Sequence, residues 1–342
     1  MSARASIVPV FVPHWGCPHA CVFCDQRRIT GAQTPAAAET VEQAMQQAAA
    51  LPPGAKRQLA FYGGSFTAIS EAQQEELLGA AQPYLARGML SSLRLSTRPD
   101  AIDWETLERL RRYGVETVEL GAQSMDGRVL ALAGRGHTAA DVERAAHLVK
   151  DGGFELILQM MTGLPGSTDE SDIETARRLI ALRPDGVRIY PTVIVEGTAL
   201  CALWRAGHYR EHTVEDAVRV CAQLLPLFEA EGIPIIRLGL NPTGELSGGA
   251  AVGGAYHPAL GELVRSRILR DRAEALLADT EPGSRVILGV NGHELSQLIG
   301  QKRCNVNWLM ERFSLSALSV RPADVKTGEL CRIFLEKQVK IV

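Results

Sequence analysis

Three cysteines near the start of the chain are the residues whose types and spacing are best suited to chemistry. Cys17, Cys21 and Cys24 follow the pattern C-x3-C-x2-C, directly after an apolar run that predicts a strand. Three thiolates on one loop can bind three irons of a cubane iron–sulfur cluster, which normally takes four cysteines. The next cysteine is Cys201, far along the chain. If the loop holds a cluster, one iron is therefore open to a ligand that is not protein.

Two other interpretations of this loop stay open from the residues alone. One is that the loop binds a structural zinc ion. The other is that it contains three reduced, buried cysteines without a metal. Structural zinc takes four closed ligands, and His14 or His19 could supply the fourth. The content of metal and sulfide distinguishes these interpretations from the cluster.

Composition is ordinary for a soluble globular protein and gives no global sign of a nucleic-acid or membrane partner. The 342 residues are 46% hydrophobic and 22% charged, with a net charge of −3. There are seven cysteines, no secretory signal and no apolar run near 18 residues, so we expect a reducing, cytoplasmic location and no membrane contact. The later cysteines are widely separated, and we expect each to be a small buried hydrophobe: Cys201, Cys221, Cys304 and Cys331.

Six short apolar segments predict strands, and helical patterns separate them. The segments lie at residues 7–12, 58–62, 93–95, 117–120, 155–161 and 187–192. This alternation predicts right-handed βαβ units and a parallel sheet. We therefore predict an α/β fold, a partial parallel (β/α)6 barrel. Polar or glycine-rich residues follow the strands, and the carboxyl ends of parallel barrel strands meet at one mouth.

The cysteine loop after the first strand resembles the signature of the radical S-adenosylmethionine (SAM) superfamily. Residues 92 to about 230 also resemble the radical SAM domain of the Elongator catalytic subunit family. The matching segments are Ser96–Asp100, Val118–Ser124, Arg135–Thr138, Gly163–Gly166, Arg188–Thr192 and Gly197–Leu200. The resemblance implies a [4Fe–4S] cluster bound by the three cysteines, and SAM chelated by the open iron. The reduced cluster would cleave SAM to a 5′-deoxyadenosyl radical.

The same resemblance implies which residues bind SAM. They are Phe23, Gly63, Gly64, Ser65, Ser96, Arg98, Gln123 and Gln159. Phe23 would pack beside the adenine, and the glycine turn would bind the SAM amino group through backbone carbonyls, which glycine lets approach closely. Ser96 and Arg98 would lie near the SAM carboxylate, and the two glutamines would contact the ribose or the substrate. A flavodoxin- or ferredoxin-type electron donor is the implied partner.

The sequence also departs from the Elongator pattern. Its cysteine loop is compact and is closer in spacing to the oxygen-independent coproporphyrinogen oxidases. Elongator subunits end in an acetyltransferase domain, and the residues after Gly232 have neither the length nor the pattern of one. We therefore expect no acetyl-CoA chemistry.

The sequence divides the chain into three predicted segments. We predict a radical SAM barrel over residues 1–232, a glycine-rich lid and connecting helix over 233–283, and a small α+β domain over 284–342. Residues 233–240 are expected to add a strand beside the barrel. The glycines between residues 244 and 256 are typical of a flexible linker or a lid, and we favour the lid.

The C-terminal segment has a β-α-turn-α-β order that resembles the KH RNA-binding module. That module uses a G-x-x-G turn to clamp a nucleic-acid backbone. Here Gly300, Lys302 and Arg303 are the candidate RNA contacts, with Arg303 in place of the second glycine. From Arg285 onward nine Lys or Arg residues oppose five Asp or Glu residues. The alternative is a small cap whose basic residues are only solvated.

These observations favour a radical SAM enzyme that modifies a structured RNA, either tRNA or rRNA. One alternative is a radical SAM enzyme that acts on a small metabolite or a tetrapyrrole. The other is a non-catalytic RNA-binding protein whose cysteine loop binds metal or senses redox state. Retention of RNA separates the first alternative from the favoured hypothesis, and sulfide content separates the second.

Overall fold

The computed structural model describes most of the chain and divides it into two compact units. The described residues are 6–12, 17, 21–25, 36–48, 56–241, 243–244, 246–333 and 339–341. The first unit comprises Met1–Thr213 with Pro226–Pro258, and the second comprises Val214–Leu225 with Ala259–Val342. The segment boundaries at residues 232 and 283 follow from composition and stay a prediction.

The first unit is built on a sheet of seven parallel strands in the order β1-β2-β3-β4-β5-β6-β8. Its strands are β1 Ser6–Val12, β2 Arg57–Gly63, β3 Ser92–Thr97, β4 Val115–Gln123, β5 Glu155–Thr162, β6 Gly186–Pro191 and β8 Ile235–Leu238, and the short β7 Val193–Val195 lies outside this sheet. The prediction of an α/β parallel sheet is confirmed, including the extra strand after residue 232.

The sheet is curled rather than flat. The Arg188 guanidinium on β6 donates to the Tyr62 hydroxyl on β2 at 2.9 Å, although three strands separate β2 from β6. In a flat sheet, four interstrand steps would hold these strands about 19 Å apart. The side chains meet because the sheet closes around them, as in a partial barrel.

Helices connect the strands, and most begin at a residue whose side chain caps the first turn. They are α1 Ala38–Ala48, α2 Glu71–Ala86, α3 Trp104–Arg112, α4 Gly127–Leu132, α5 Ala139–Asp151, α6 Asp169–Ala181, α7 Ala199–Arg205 and α8 Val214–Ala230. The sequence Ser70-x-x-Gln73 predicts a capping box at the start of α2, and the Ser70 side chain indeed accepts a hydrogen bond from the Gln73 amide. Thr34 followed by Pro35 predicts a helix start before α1, and both residues lie outside the described residues.

The two faces of the sheet differ in polarity. One face is apolar and fully buried, as at Leu59, Leu95 and Leu158, and helices pack on the sheet. The opposite, inner face carries polar side chains at alternating positions: Tyr62, Arg94, Ser96, Glu119, Gln159, Arg188 and Tyr190. The predicted apolar strands therefore also carry polar side chains, which face inward.

The glycine-rich segment after β8 contains paired structure. A π-helical turn, Leu246–Ala250, leads into β9 Ala251–Gly254, which pairs antiparallel with β7. Gly254 has a φ of 81°, and a Cβ there would lie 2.7 Å from the carbonyl oxygen of Thr192. The strand is therefore closely packed, so a flexible linker is excluded for it, whereas the lid function stays a prediction.

The second unit contains a four-stranded sheet in the order β11-β10-β12-β13. Its remaining elements are α9 Leu260–Leu276, β10 Arg285–Val290, α10 Leu295–Ile299, α11 Cys304–Arg312, β11 Ala317–Pro322, β12 Leu330–Ile333 and β13 Val339–Ile341. Strands β10 and β11 are parallel, and helices α9 to α11 contribute to one apolar core with them. The elements follow the predicted β-α-turn-α-β order, whereas Cys304 is exposed and the prediction of burial was wrong for it.

No helix in the described part of either unit is long and apolar enough to cross a membrane.

Candidate iron–sulfur and cofactor site

The cysteine loop is held by backbone hydrogen bonds to two later parts of the first unit. The Val22 amide donates to the Ala133 carbonyl at 3.1 Å, just after α4, and the Leu200 amide donates to the Val22 carbonyl at 2.7 Å. The Cys24 amide donates to the Cys21 carbonyl at 3.1 Å, which closes a turn between two predicted ligands. The loop is thus fixed by segments more than 100 residues away in sequence.

Two of the three thiols have polar neighbours of the kind that suits a metal-bound sulfur. The Arg135 guanidinium donates from Nη1 to the Cys21 sulfur at 3.4 Å. The Cys17 sulfur lies 3.6 Å from the Ser65 hydroxyl, which brings the cysteine loop next to the predicted SAM turn. Phe23, between the second and third cysteines, packs against the apolar group Val129, Ala133, Met161 and Leu164.

The three cysteine thiols of the loop are a donor set that suits an iron–sulfur cluster. All three cysteines are free thiols. Among the described residues, no three His, Cys, Asp or Glu side chains are grouped as ligands of one ion. A cubane cluster needs no such group, because each thiolate binds a different iron. The zinc alternative depends on His14 or His19, which lie outside the described residues.

The predicted SAM turn is rigid. Gly63 ends β2 with a φ of 102°, a backbone conformation that favours glycine. The 3-10 turn that follows is fixed to the end of β3, because the Thr67 and Thr97 hydroxyls lie 2.6 Å apart. The Thr67 hydroxyl also donates to the Ala101 carbonyl at 2.6 Å. Only 3% of Ser65 is exposed, so the turn offers mainly backbone groups, and its contact with SAM stays a prediction.

Arg98, predicted near the SAM carboxylate, is largely engaged within the protein. Its Nε and Nη2 donate to the two carboxylate oxygens of Asp100 at 2.9 and 3.0 Å, and Nη2 also donates to the Arg135 carbonyl. Burial raises the pKa of Asp100, but the Arg98 guanidinium outweighs it and lowers that pKa below its usual value. The buried Nη1 has no hydrogen-bond partner in the described structure and is the atom left for a ligand.

The two predicted glutamines are brought together by an irregularity in β4. The register shifts between Gly121 and Gln123, and Gln123 has a φ of 65°, which is strained for a residue with a side chain. Gln159 Nε2 donates to Gln123 Oε1 at 3.2 Å. Bulges of this kind redirect side chains near binding sites. The pair therefore suits recognition of a ligand hydroxyl or amide, and its contact with SAM or the substrate stays a prediction.

A buried ionic network on the inner face was missed by sequence reasoning. Glu119 Oε1 accepts from the Tyr62 hydroxyl at 2.7 Å and lies 2.7 Å from Arg94 Nη2, whereas its Oε2 lies 2.7 Å from Arg188 Nε. Burial and the Glu119 carboxylate raise the pKa of Tyr62, which keeps the phenol neutral. The signal was present in the sequence, because these polar residues recur at every second strand position.

The middle of the inner face has an excess of positive charge. Arg94 and Arg188 share the single carboxylate of Glu119, and Arg237 on β8 is the register partner of Arg188. Arg237 Nε donates to the Gly239 carbonyl at 3.0 Å. Three guanidinium groups against one carboxylate favour a ligand with anionic or carbonyl oxygens.

Two buried titratable groups support the loops at the mouth. The His137 ring lies 3.1 Å from the Ala122 carbonyl, and burial together with Arg135 lowers its pKa to about 4. Asp172 on α6 accepts from the Gly163 amide at 3.0 Å, and burial raises its pKa to about 7. These side chains shape the ends of β4 and β5.

The candidate RNA-binding turn belongs to the second unit. Gly300 has a φ of 76°, and Lys302 and Arg303 have φ values of 50° and 64°, so two bulky residues adopt the left-handed conformation. Both side chains are exposed. Neither forms an ion pair with a carboxylate of the described chain. The turn therefore presents two free cations to solvent.

Two family models match consecutive parts of the chain. The model of the radical SAM superfamily matches residues 12–179, and that of the radical SAM C-terminal domain matches residues 184–270. Together they cover about three quarters of the chain. The chain belongs to the radical SAM superfamily, a class of enzymes whose cofactors are a [4Fe–4S] cluster and SAM. The three-cysteine loop and the parallel half-barrel described above fit this class.

Among curated proteins, the chain is similar to Elongator proteins. It is 37% identical to human Elongator complex protein 3 over 138 residues, which are 40% of this chain and 25% of that protein. It is 34% identical to the tRNA uridine(34) acetyltransferase of Methanocaldococcus infernus over 132 residues, 38% of this chain and 25% of that enzyme. The match thus spans about a quarter of the length of these relatives.

Solved structures share the fold. The archaeal Elp3 of Methanocaldococcus infernus superposes with a TM-score of 0.59 at 24% identity, covering 78% of this chain and 64% of that one. Methylornithine synthase superposes with a TM-score of 0.52 at 19% identity, covering 76% and 74%. At these identities the likeness concerns the fold alone.

Proposed function

We propose that this enzyme reductively cleaves SAM and directs the resulting radical at a structured RNA, either tRNA or rRNA. The proposal combines the cluster and SAM of its superfamily with the exposed cationic turn of the second unit. The tRNA-modifying relatives support it at the level of similarity. Acetyl transfer is not part of the proposal, because the matched relatives extend far beyond the region shared with this chain.

The residues of the first unit have distinct tasks in this proposal. Cys17, Cys21 and Cys24 would hold the cluster, which supplies the electron for SAM cleavage. The rigid turn ending at Ser65 would bind the SAM amino group. The rigid turn and the inner face would position SAM and substrate and limit the access of water to the radical.

The inner face would receive the target nucleotide. Its excess guanidinium charge suits the phosphate or carbonyl oxygens of a nucleotide, and the strained Gln123 with Gln159 can pair with the edge of a base. A neutral Tyr62 and a fixed Glu119 keep this surface rigid. The target is then held by preorganised groups rather than by loops.

The observation that carries the RNA assignment is the turn at Gly300. A backbone turn that meets a phosphate works because no side chain stands between its amides and the ligand. Here Lys302 and Arg303 are exposed and unpaired in the described structure, so they can make charge-assisted contacts with phosphates. In the proposal they compensate for the missing second glycine.

The electron would come from a flavodoxin- or ferredoxin-type donor. Reduction of the cluster takes one electron, which a donor of this type would supply. The donor is tested by comparing SAM cleavage with each reduced protein against cleavage with dithionite.

The RNA assignment is tested by reversing charge in the turn. The double variant K302E/R303E should lose retention of total cellular RNA at low salt, and its cleavage of SAM without substrate should be unchanged. The matched control is R321E/K326E, which makes the same charge change at exposed residues elsewhere in the second unit. Equal RNA retention by wild type and K302E/R303E would remove the RNA contact and favour a metabolite substrate.

The modified nucleoside is sought by mass spectrometry of nucleosides from tRNA and rRNA in cells with and without the protein. A nucleoside absent from the deletion strain and restored by the wild-type gene, but not by a Cys24→Ala variant, is the expected result. Identical nucleoside profiles would contradict the proposal.

A further inference from the structure

The guanidinium of Arg135 lies between a predicted cluster ligand and the sheet. Its Nη1 donates to the Cys21 sulfur at 3.4 Å, and its Nη2 donates to the Gly121 carbonyl at 2.7 Å. The residue is 8% exposed. One side chain therefore connects the cysteine loop with the strand that carries the Gln123 bulge.

Arg135 is held in this position by its own backbone. Its amide donates to the Leu130 carbonyl at 3.0 Å, and its carbonyl accepts from Arg98 Nη2. Gly134 and Gly136 on either side have φ values of 66° and 73°, which only glycine adopts at little cost. The guanidinium is thus oriented before any cofactor is present.

The positive charge of Arg135 is not neutralised by a carboxylate of the described chain. Asp100, the acid near this loop, is bound by Arg98, and no ion pair of Arg135 occurs among the described residues. Its Nε, also buried, has no hydrogen-bond partner there. His137 adds no charge at neutral pH, because burial lowers its pKa to about 4. A buried cation that no described carboxylate neutralises therefore faces the Cys21 sulfur.

We propose that Arg135 tunes the cluster by donating a charge-assisted hydrogen bond to Cys21, which raises the reduction potential. Reduction adds one negative charge to the cluster, and a fixed cation with an N–H donor at a ligand sulfur stabilises the more negative state. The effect is strengthened because burial reduces screening by water. Arg135 is a positioning residue, since it acts through Cys21. The inference concerns the cluster and is independent of the RNA substrate.

The test is a redox titration of the anaerobically reconstituted holoenzyme without substrate, followed by electron paramagnetic resonance of the reduced cluster. Arg135→Met, which removes charge and donor at similar size, should shift the midpoint to a more negative potential. Arg135→Lys keeps the charge but cannot bridge Cys21 and Gly121, so its midpoint potential should fall between those of the wild type and Arg135→Met. Arg128→Met, an exposed arginine in α4, should leave the midpoint unchanged.

The iron and sulfide contents are measured alongside to separate tuning from assembly. An unchanged midpoint in Arg135→Met with a full cluster overturns the proposal. If Arg135→Met assembles too little cluster, Arg135→Lys and Arg135→Gln decide, since Gln keeps a donor without charge and should lie below Lys. Loss of the cluster in all three variants, with Arg128→Met intact, also overturns it, because Arg135 would then only build the loop.

Discussion

Two glycine turns, one in each unit, are predicted to bring backbone close to a ligand, and the structure builds them in opposite ways. In the first, Ser65 is buried and Thr67 ties the turn to the next strand. In the second, only Gly300 is buried, and Lys302 and Arg303 are exposed. The first turn suits a small cofactor of fixed shape, because its own hydrogen bonds fix the backbone. The second suits a charged polymer, because its cations stay free to adjust.

The largest effect is expected when a predicted ligand of the cluster is removed. Cys24→Ala should abolish cluster binding, because two thiolates cannot hold the cubane. Wild-type protein reconstituted without oxygen should contain about four iron and four sulfide per chain. Cys201→Ala and Cys221→Ala, which alter buried cysteines outside the predicted ligand set, should keep the iron, although Cys201 belongs to the apolar cluster on which Val22 and Phe23 of the loop pack. Stoichiometric zinc without sulfide in the wild type would refute the cluster.

Next in size is the loss of SAM binding when the first turn receives a side chain. Gly64→Val should weaken SAM binding roughly 100-fold while the cluster stays, which corresponds to about 2.7 kcal/mol of overpacking. Equilibrium dialysis with labelled SAM measures it. Gly79→Val in α2 is the control, because a Cβ at Gly79 meets nothing within 4 Å. Normal SAM cleavage by Gly64→Val would show that the amino group binds elsewhere.

A pH dependence should mark the first unit, which buries titratable groups near its mouth. The pKa of Asp172 is raised from 3.8 to about 7, so the folded state binds more protons between these values. Asp172 therefore stabilises the fold most at acidic pH, and this stability is lost as pH rises through 7, by at most about 4 kcal/mol.

Asp172→Asn removes this titration and keeps an oxygen for the Gly163 amide. Between pH 5 and pH 8 the Tm of the wild type should fall relative to that of Asp172→Asn, as measured by calorimetry. The pKa of His137 is lowered to about 4, so its contribution to stability rises with pH between about 4 and 6.5. His137 is present in both proteins, and its contribution therefore cancels in the difference between their Tm values. Parallel Tm curves would mean that Asp172 is ionised in the fold at all these values.

A smaller effect, on the stability of the second turn, is expected when its buried glycine receives a side chain. A Cβ at Gly300 would lie 2.6 Å from the Cys304 sulfur, and the φ of 76° disfavours a side chain. Gly300→Ala should destabilise the turn by about 1–3 kcal/mol, seen as faster amide hydrogen exchange in α10 and α11. Gly292→Ala, where a Cβ meets nothing within 4 Å, should exchange like the wild type.

The smallest effect sharpens the comparison, because it separates backbone shape from charge. Arg303→Gly should stabilise the second turn by about 1 kcal/mol, since Arg303 has a φ of 64°. If the cation is the contact, RNA binding should nevertheless weaken, and the slope of log affinity against log salt should decrease by roughly 1. Tighter RNA binding by Arg303→Gly would assign the contact to the backbone instead.

The strands and helix starts were readable from the sequence because they depend on local signals. Apolar segments, glycine punctuation and the cap at Ser70 act within a few residues, so the parallel sheet was predicted. The spacing of Cys17, Cys21 and Cys24 likewise fixes three thiolates on one loop, whatever the rest of the chain does. The extra strand after residue 232 was found in the same way.

Only the tertiary structure decided which side chains meet. Arg188 reaches Tyr62 across three strands because the sheet curls, and a polar position in a strand does not reveal its partner. The pairing of Arg98 with Asp100 and the contact of Arg135 with Cys21 also depend on loops brought together by folding. Sequence spacing thus determines which chemical groups are available on each strand or loop. The curl of the sheet determines which charged side chains come into contact, and therefore what chemistry they can support.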